Sequence, residues 1–256
     1  MRLLLILLSA LMVIPLCGVT IFDGTEDGSM PLRRQAMGLA LANKWKLSCK
    51  SVSAQEAVQA LKQGRADAIV LDKKNIPNDF PFEKRPFAIL AAAVYVNSNN
   101  TCTGLSRQEL TELLSSARPS WKSITGNRVD IHFYGLSSQA QGYGLFSRLL
   151  LSGDFQIKAP VFRTSSTNNV IQLCAGNPVA MGFALFSPRS NEMTRVIAID
   201  GISPTFENLA NGKYPLTITH VLLFPAEKKP EIQKLLDSFK TPGFLELLDR
   251  SNMLPQ

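Results

Sequence analysis

Short apolar runs alternate with amphipathic segments along the first third of the chain. The pattern predicts, in order, a strand at 19–22, a helix at 32–46, a short strand at 51–52, a helix beginning after Ser53 and a strand at 66–71. Ser53 followed by Glu56 is a capping-box pattern, and Gly64 is suited to end the second helix. Strands separated by helices pair in parallel, so this part of the chain predicts an α/β fold.

A continuous apolar run, FAILAAAVYV at 87–96, lies between Pro86 and Asn97. A run of this kind is typical of a strand that is buried on both faces. A second alternating unit follows it. The predicted elements are a helix capped by Ser106, a loop at 119–126, a strand at 129–134, a helix at 142–151, an extended piece at 161–163, a helix at 168–174 and a strand at 179–183.

The N-terminus begins with Met1 and Arg2, and an apolar run, LLLILLSALMVIPL, follows them. A positive start and an apolar run too short to span a membrane comfortably indicate a signal peptide over residues 1–18. This predicts a mature chain outside the cytoplasm, either periplasmic or secreted. An uncleaved N-terminal membrane anchor is the alternative. Cys17 lies where a lipidated cysteine would lie, although Leu16 is bulkier than such a site prefers.

The formal net charge of +7 favours anionic ligands or surfaces. The basic residues are scattered and form no run with aromatic residues between them, which argues against nucleic acid as a partner. No cysteine pair has metal-ligand or CxxC spacing, so Cys49, Cys102 and Cys174 read as small buried hydrophobes, with a single disulfide as the alternative. The two histidines, His132 and His220, lie in strand-like surroundings and belong to no catalytic motif. The sequence therefore predicts a protein that is not an enzyme and that uses no metal or cofactor.

The segment 199–224, IDGISPTFENLANGKYPLTITHVLLF, carries several turn signals in a fixed order. Asp200 and Gly201 supply a turn, Asn211 and Gly212 end a short helix, and Pro215 directs the chain into an apolar strand. This order resembles the return segment of the periplasmic phosphate-binding proteins of ABC transporters and of the wider group of phosphate-binding-protein-like domains. The segments AVYVN, LSRQELTELL, PSWKSITG and NPVAMGF extend the resemblance over nearly the whole chain from residue 19.

The resemblance implies a two-lobed α/β fold of the type II periplasmic-binding-protein class. Each lobe would be a mixed, mostly parallel sheet flanked by helices, with the ligand crevice between the lobes. Residues 19–97 would form the first part of lobe 1, residues 98–195 would form the inserted lobe 2, and residues 196–256 would return to lobe 1 and complete it.

The resemblance also implies a set of anion-binding residues at helix starts that face the crevice. These residues are Gly28, Ser29, Ser53, Asp72, Ser137, Ser138, Gln139, Gln141 and Gly142. A carboxylate such as Asp72 would accept the proton of a protonated phosphate oxygen, which sulfate lacks. Plain helix capping or turn formation is the alternative for each of these residues.

The loop that precedes the helix at 142–151 departs from the family pattern. Phosphate binders carry an arginine and then Ser-Gly-Thr here, whereas this chain has Ala140, Gln141 and Gly142 and no arginine just upstream. Arg163 is the nearest replacement cation. A second hydroxyl-rich turn, TSSTN at 164–168, either reaches the crevice or caps the following helix.

Two functions follow from the sequence. The first is an extracytoplasmic, monomeric solute-binding protein that captures a small inorganic oxyanion, with phosphate as the leading candidate, and delivers it to a membrane ABC permease. The second is a degenerate domain of the same fold that acts as an interaction or sensory module without tight phosphate binding.

Overall fold

The computed structural model describes residues 18–25, 30–43, 46–150, 157–188 and 191–256. The strands are β1 (Gly18–Asp23), β2 (Lys46–Ser51), β3 (Ala68–Asp72), β4 (Glu83–Asn97), β5 (Gly104–Leu105), β6 (His132–Leu136), β7 (Val161–Thr164), β8 (Ala180–Leu185), β9 (Thr194–Val196), β10 (Ala198–Ile199), β11 (Thr217–Phe224) and β12 (Met253–Pro255). The helices are α1 (Met30–Asn43), α2 (Ala54–Lys62), α3 (Arg107–Ser115), α4 (Lys122–Thr125), α5 (Tyr143–Leu150), α6 (Thr167–Ala175), α7 (Phe206–Ala210), α8 (Lys229–Ser238) and α9 (Pro242–Arg250).

The main sheet has the strand order β2-β1-β3-β11-β4-β8-β6-β7, and both β9 and β12 also pair with β4. The pairs β1 with β2 and β3, and β6 with β7 and β8, are parallel. Strands β11, β12, β8 and β9 run antiparallel to β4. The predicted α/β class is confirmed, since helices connect the parallel strands.

Strand β4 joins two groups of strands. Its first part pairs with β11 and β12, and its last part pairs with β8 and β9. Every residue from Phe87 to Asn97 is buried, so the predicted strand with two covered faces is confirmed. Asn97 pairs with Thr194 of β9, which places the outgoing and returning chains side by side. The predicted lobe boundaries near residues 97 and 195 stay predictions.

The boundary between α1 and β2 differs from the prediction. The helix ends at Asn43 rather than at Lys46, and the strand covers Lys46–Ser51 rather than residues 51–52. Leu47 and Cys49 alternate with polar residues, which suits an edge strand with one covered face. In the same way, the loop predicted at 119–126 contains the short helix α4, which Gly126 ends at φ 81°.

The helix caps predicted at Ser53 and Ser106 are present, and the reciprocal capping box forms at Ser106. The Ser106 hydroxyl accepts from the Glu109 amide, and the Glu109 carboxylate accepts from the Ser106 amide, at 3.1 and 2.7 Å. Ser166 caps α6 by accepting from the Asn169 amide, so the hydroxyl-rich turn at 164–168 serves as a cap. The caps at Ser106 and Ser166 both supply acceptors for backbone amides of the first helical turn, which have no partner within the helix.

The return segment folds as its turn residues predict. Asp200 and Gly201 adopt φ 50° and 76°, and Gly212 adopts φ 72° after α7. Asp200 also accepts from the backbone and side chain of Arg107, at 2.9 and 2.6 Å. These hydrogen bonds hold the pKa of the Asp200 carboxyl below its usual value. They tie the return segment to the start of α3.

Cysteines and histidines of the described residues have no metal-like arrangement. Cys102 and Cys174 are buried, Cys49 is half-buried, and all three are free thiols. His220 is buried and His132 is exposed on β6, in agreement with their prediction as core or strand-surface residues. In the part of the chain that the structure describes, no group of candidate ligands could hold a metal ion. No helix there has the length and apolar character needed to cross a membrane.

Candidate anion-binding cleft

The loop between β6 and α5 is folded by its own backbone. The Ser137 amide donates to the Thr164 carbonyl at 2.7 Å, the Ala140 amide to Ser137 at 2.9 Å, and the Tyr143 amide to Ala140 at 3.2 Å. Gly142 adopts φ 80°, and a Cβ at this position would overlap the Leu185 side chain. The loop therefore needs glycine here both for its backbone conformation and for its close packing on β8.

This loop forms one wall of a cleft of about 560 Å³. The opposite wall comes from α1, the end of α9 and the turn after it. The lining residues are Arg34, Ser138, Gln139, Ala140, Gln141, Gly142, Tyr143, Gly144, Arg148, Arg250 and Ser251. Four of the predicted anion-binding residues, Ser138, Gln139, Gln141 and Gly142, are thus brought together in one cleft.

Three arginines from three helices line the cleft. Arg34 lies on α1, Arg148 on α5 and Arg250 on α9. Arg250 is paired with Glu246 of the same helix at 2.5 Å, and both side chains are more than half exposed. Arg148 extends back along α5 toward Gly144, where an added Cβ would lie 3.2 Å from its Nη1. Guanidinium groups from different elements that face one cleft favour an anionic ligand, which they can bind bidentately.

Among the described residues, a hydrogen bond spans the cleft. The Gln141 side-chain amide donates to the Ser251 carbonyl at 3.1 Å, so the loop before α5 touches the turn after α9. The two partners belong to the two groups of strands that β4 joins. The cleft therefore lies between these groups, which is where the sequence predicts a ligand crevice.

The cleft offers hydrogen-bond donors and positive charge. Its described lining includes three arginines, the hydroxyls of Ser138, Ser251 and Tyr143, and the amides of Gln139 and Gln141, but no carboxylate, histidine or cysteine. The arrangement is suited to holding an anion.

The remaining predicted residues lie elsewhere. Gly28 and Ser29 fall outside the described residues. Ser53 caps α2 by accepting from the Glu56 amide at 3.1 Å, and Ser137 lies at the base of the loop without lining the cleft. The capping role of Ser53 is observed, and contact of Ser53 or Ser137 with an anion stays a prediction.

Asp72 is 1% exposed and lies at the end of β3. Its Oδ1 is 3.3 Å from Nε2 of His220, which is equally buried on the neighbouring strand β11. The carboxylate thus faces a protein partner inside the sheet in this structure. Its predicted contact with a protonated phosphate oxygen stays a prediction.

Arg163, the cation predicted to replace the missing arginine, contacts residues at the two ends of the loop between β6 and α5. Its Nη1 donates to the Leu136 carbonyl at 3.1 Å, and its guanidinium lies 5.5 Å from the centre of the Tyr143 ring. It does not line the cleft. Sequence reasoning missed Arg34, Arg148 and Arg250 because they are far apart in the chain and share no motif.

Comparison with known proteins places the chain in a family. Residues 32–241 match the family model described as a PBP superfamily domain, and the chain belongs to this family. It is 24% identical over 157 residues to the phosphate-binding protein PstS of Bacillus subtilis (strain 168). This alignment covers 61% of the present chain and 51% of the relative. The chain spans about half the length of this curated relative.

Solved structures of the same shape cover nearly the whole chain. An ABC-type phosphate transport receptor from Vibrio cholerae aligns with a TM-score of 0.66 and 19% identity, over 92% of this chain and 99% of that one. PstS from Borrelia burgdorferi aligns with a TM-score of 0.72 and 17% identity, over 93% of this chain and 98% of that one. The predicted two-lobed type II periplasmic-binding-protein fold is confirmed. At these identities the structures show the fold alone, and the relatives named here are binding proteins rather than enzymes.

Proposed function

We propose that this protein is an extracytoplasmic solute-binding protein that captures a small oxyanion, with phosphate as the leading candidate, and presents it to an ABC-type permease. The fold and the names of its relatives support this class of function. The predicted signal peptide supports a location outside the cytoplasm. The monomeric state and the permease partner remain predictions from the sequence.

One observation carries the proposal: the predicted polar loop meets three arginines in one cleft. The loop lacks the arginine of the phosphate binders, and the loss of such a charge-assisted contact weakens anion binding. Arg34, Arg148 and Arg250 can supply the missing charge from other elements. A charge-assisted hydrogen bond contributes about 1.5–3 kcal/mol, so two or three of them can replace one lost contact.

In this proposal each group has a defined role. Arg34 and Arg250 hold the anion from one wall, and Arg148 neutralises it from the other. The Ser138 hydroxyl and the amides of Gln139 and Gln141 donate the remaining hydrogen bonds. Because the donors come from both groups of strands, a bound anion favours the arrangement in which the two walls approach each other. Gly28 and Ser29, just before α1, stay in the proposed site.

Calorimetric titration of the purified protein with phosphate tests the proposal. We expect one anion per chain, and we expect Arg34→Gln and Ser138→Ala each to weaken binding, with about tenfold or more lost for the arginine. The matched control is Arg33→Gln, which changes the neighbouring exposed arginine of α1 that does not line the cleft. The control should bind as the unaltered protein does.

The second function, an interaction or sensory module, is favoured by one observation: Ala140, Gln141 and Gly142 stand where phosphate binders have Ser-Gly-Thr. No heat of binding and no thermal stabilisation by phosphate would reject the transport proposal and support this module. Equal effects of Arg33→Gln and Arg34→Gln would instead show that the proposed site is misplaced.

A further inference from the structure

We infer that the edge of the main sheet at which β1 begins is a docking surface for an anionic membrane. The inference goes beyond the proposed function and does not depend on anion capture in the cleft. Three features carry it: the place where β1 begins, the basic side chains around that place, and an exposed leucine beside them.

This surface, the basic edge, is formed where three parallel strands begin. Gly18 of β1 pairs with Lys46 of β2, so the two strands begin level with each other. Asp67, just before β3, accepts from the Thr20 amide at 2.8 Å, which places the start of β3 beside them. Because the strands share one direction, the helices that precede β2 and β3 end at the same edge.

Five basic side chains that are far apart in the sequence lie at this edge. They are Lys46 at the start of β2, Lys62 and Arg65 around the end of α2, and Lys228 and Lys229 between β11 and α8. Lys228 contacts Asp67, with its Nζ 3.0 Å from Oδ1, and the other four are exposed. Glu227 is also exposed here. Among the described side chains of the edge, basic groups therefore outnumber acidic ones, and this favours an anionic surface as the partner.

An exposed leucine lies beside these charges. Helix α1 connects the end of β1 to the start of β2, so its last turn approaches the basic edge. Leu41 lies in this turn and is 82% exposed, and Met37, one turn earlier, is 53% exposed. Attraction to anionic headgroups and burial of apolar side chains add when a protein binds a lipid interface. The charges alone would fit any polyanion, and the leucine favours a lipid surface.

The chain that precedes β1 leads to the same surface. The apolar run at 3–16 ends at Leu16, and Cys17 alone separates it from Gly18. An anchor formed by this run, or by a lipid on Cys17, would therefore meet the membrane next to the basic edge. Two residues of extended chain span about 7 Å, and salt screens a charge over about 8 Å at physiological ionic strength. The basic side chains would thus lie close enough to attract anionic headgroups.

Co-sedimentation of the purified full-length chain with lipid vesicles tests the inference. One set of vesicles contains only neutral phosphatidylcholine, and the other also contains anionic phosphatidylglycerol. At physiological ionic strength we expect tighter binding to the anionic vesicles, and we expect the double variant Lys46→Gln, Arg65→Gln to lose about tenfold or more of that affinity. Equal binding of the unaltered chain to both kinds of vesicle, or binding to neither, overturns the inference.

The matched control is the double variant Lys73→Gln, Lys74→Gln. Both lysines are exposed and follow the far end of β3, whose 5 residues span about 16 Å. This distance is about twice the screening length, so the affinity of the control should stay within about twofold of that of the unaltered chain. Equal losses in the two double variants would show a general attraction between charges and would overturn the docking surface.

A second pair of variants distinguishes a lipid surface from other polyanions. Leu41→Ser and Phe162→Ser each remove an exposed apolar side chain, the first beside the basic edge and the second on β7. We expect only Leu41→Ser to weaken binding to the anionic vesicles, by about threefold or more, because its side chain is buried in the lipid interface. Equal binding by the two variants would show that the edge attracts polyanions in general and would overturn the inference. None of the substituted residues lines the cleft, so failure of phosphate binding leaves this inference standing.

Discussion

Gly142 fixes the shape of the loop that lines the cleft. Its φ of 80° and its contact with the Leu185 side chain both exclude a Cβ. We expect Gly142→Ala to lower the free energy of unfolding by about 2–4 kcal/mol, from backbone strain and from overpacking together. Urea unfolding followed by circular dichroism measures this loss.

The control for this variant is Gly212→Ala. Gly212 has a similar φ of 72°, but an added Cβ would meet no atom within 4 Å. The Gly212→Ala variant should lose only the part of the free energy of unfolding that comes from backbone strain, about 1–2 kcal/mol. If both variants lose the same stability, the packing of Gly142 on Leu185 does not shape the loop.

The buried pair of Asp72 and His220 is a second site of high sensitivity. Both side chains are 1% exposed, so the pair is held away from bulk solvent. We expect Asp72→Ala to lower the free energy of unfolding by about 3–5 kcal/mol, because it leaves His220 buried without this acceptor. Thermal and urea unfolding measure the change.

The exposed pair of Arg250 and Glu246 gives the comparison. Its side chains are 65% and 60% exposed, so Glu246→Gln should change the free energy of unfolding by less than about 1 kcal/mol. A similar loss in both variants would show that burial does not set the strength of the Asp72 pair.

The three described cysteines should differ in reactivity. Burial raises the pKa of the Cys174 thiol to about 12 and also raises the pKa of Cys102 and Cys49, the last of which Arg33 partly offsets. A raised thiol pKa leaves the unreactive thiol form at pH 8, because only the thiolate attacks an alkylating agent. In a Cys17→Ser variant we expect iodoacetamide to label half-buried Cys49 first and Cys174 only on unfolding. Mass spectrometry of a time course checks the order, and early labelling of Cys174 would contradict its burial.

At the scale of single residues, local chemistry was predictable and remote contacts were not. The turn at Asp200 and Gly201 and the caps at Ser53 and Ser106 depend on neighbours in the chain, and the sequence predicts all of them. Arg34, Arg148 and Arg250 meet only because three helices converge, and no spacing indicates that. The pairing of Asp72 with His220 depends on the register of β3 and β11 in the same way.

At the scale of elements, the buried strands were the most predictable. Strand β4 carries a continuous apolar run, and the structure buries it on both faces. The edge strand β2 was predicted too short, because Leu47 and Cys49 are the only apolar residues in its alternating pattern. So short a pattern does not indicate a strand clearly without the partner strand.

The start of α3 provides a test at this scale. Ser106 and Glu109 form a reciprocal capping box on the exposed first turn. We expect Ser106→Ala to lower the free energy of unfolding by about 1 kcal/mol, since it removes the acceptor for the Glu109 amide. Ser123→Ala, at an exposed serine of α4, is the matched control and should change it by less than about 0.5 kcal/mol. Equal stabilities of the two variants, measured by urea unfolding, would show that the capping box contributes little.

At the scale of the whole molecule, the two-lobed fold was predictable from the order of its motifs, and the family match confirms it. The structure also shows which contacts join the two groups of strands. Strands β4 and β9 run side by side where the chain crosses between the groups, and Gln141 reaches Ser251 across the cleft. The first link joins the two groups of strands where the chain crosses, and the second joins the two walls of the cleft.

The central claim is that an oxyanion binds between the loop before α5 and the arginines of α1 and α9. The most direct test is to follow the backbone amide resonances of isotope-labelled protein by nuclear magnetic resonance during titration with phosphate. The account predicts that the largest shifts fall at Ser138 to Tyr143, around Arg34 and at Arg250 and Ser251. Shifts concentrated elsewhere, such as the groove between α3 and α4, or no shifts at saturating phosphate, would contradict it.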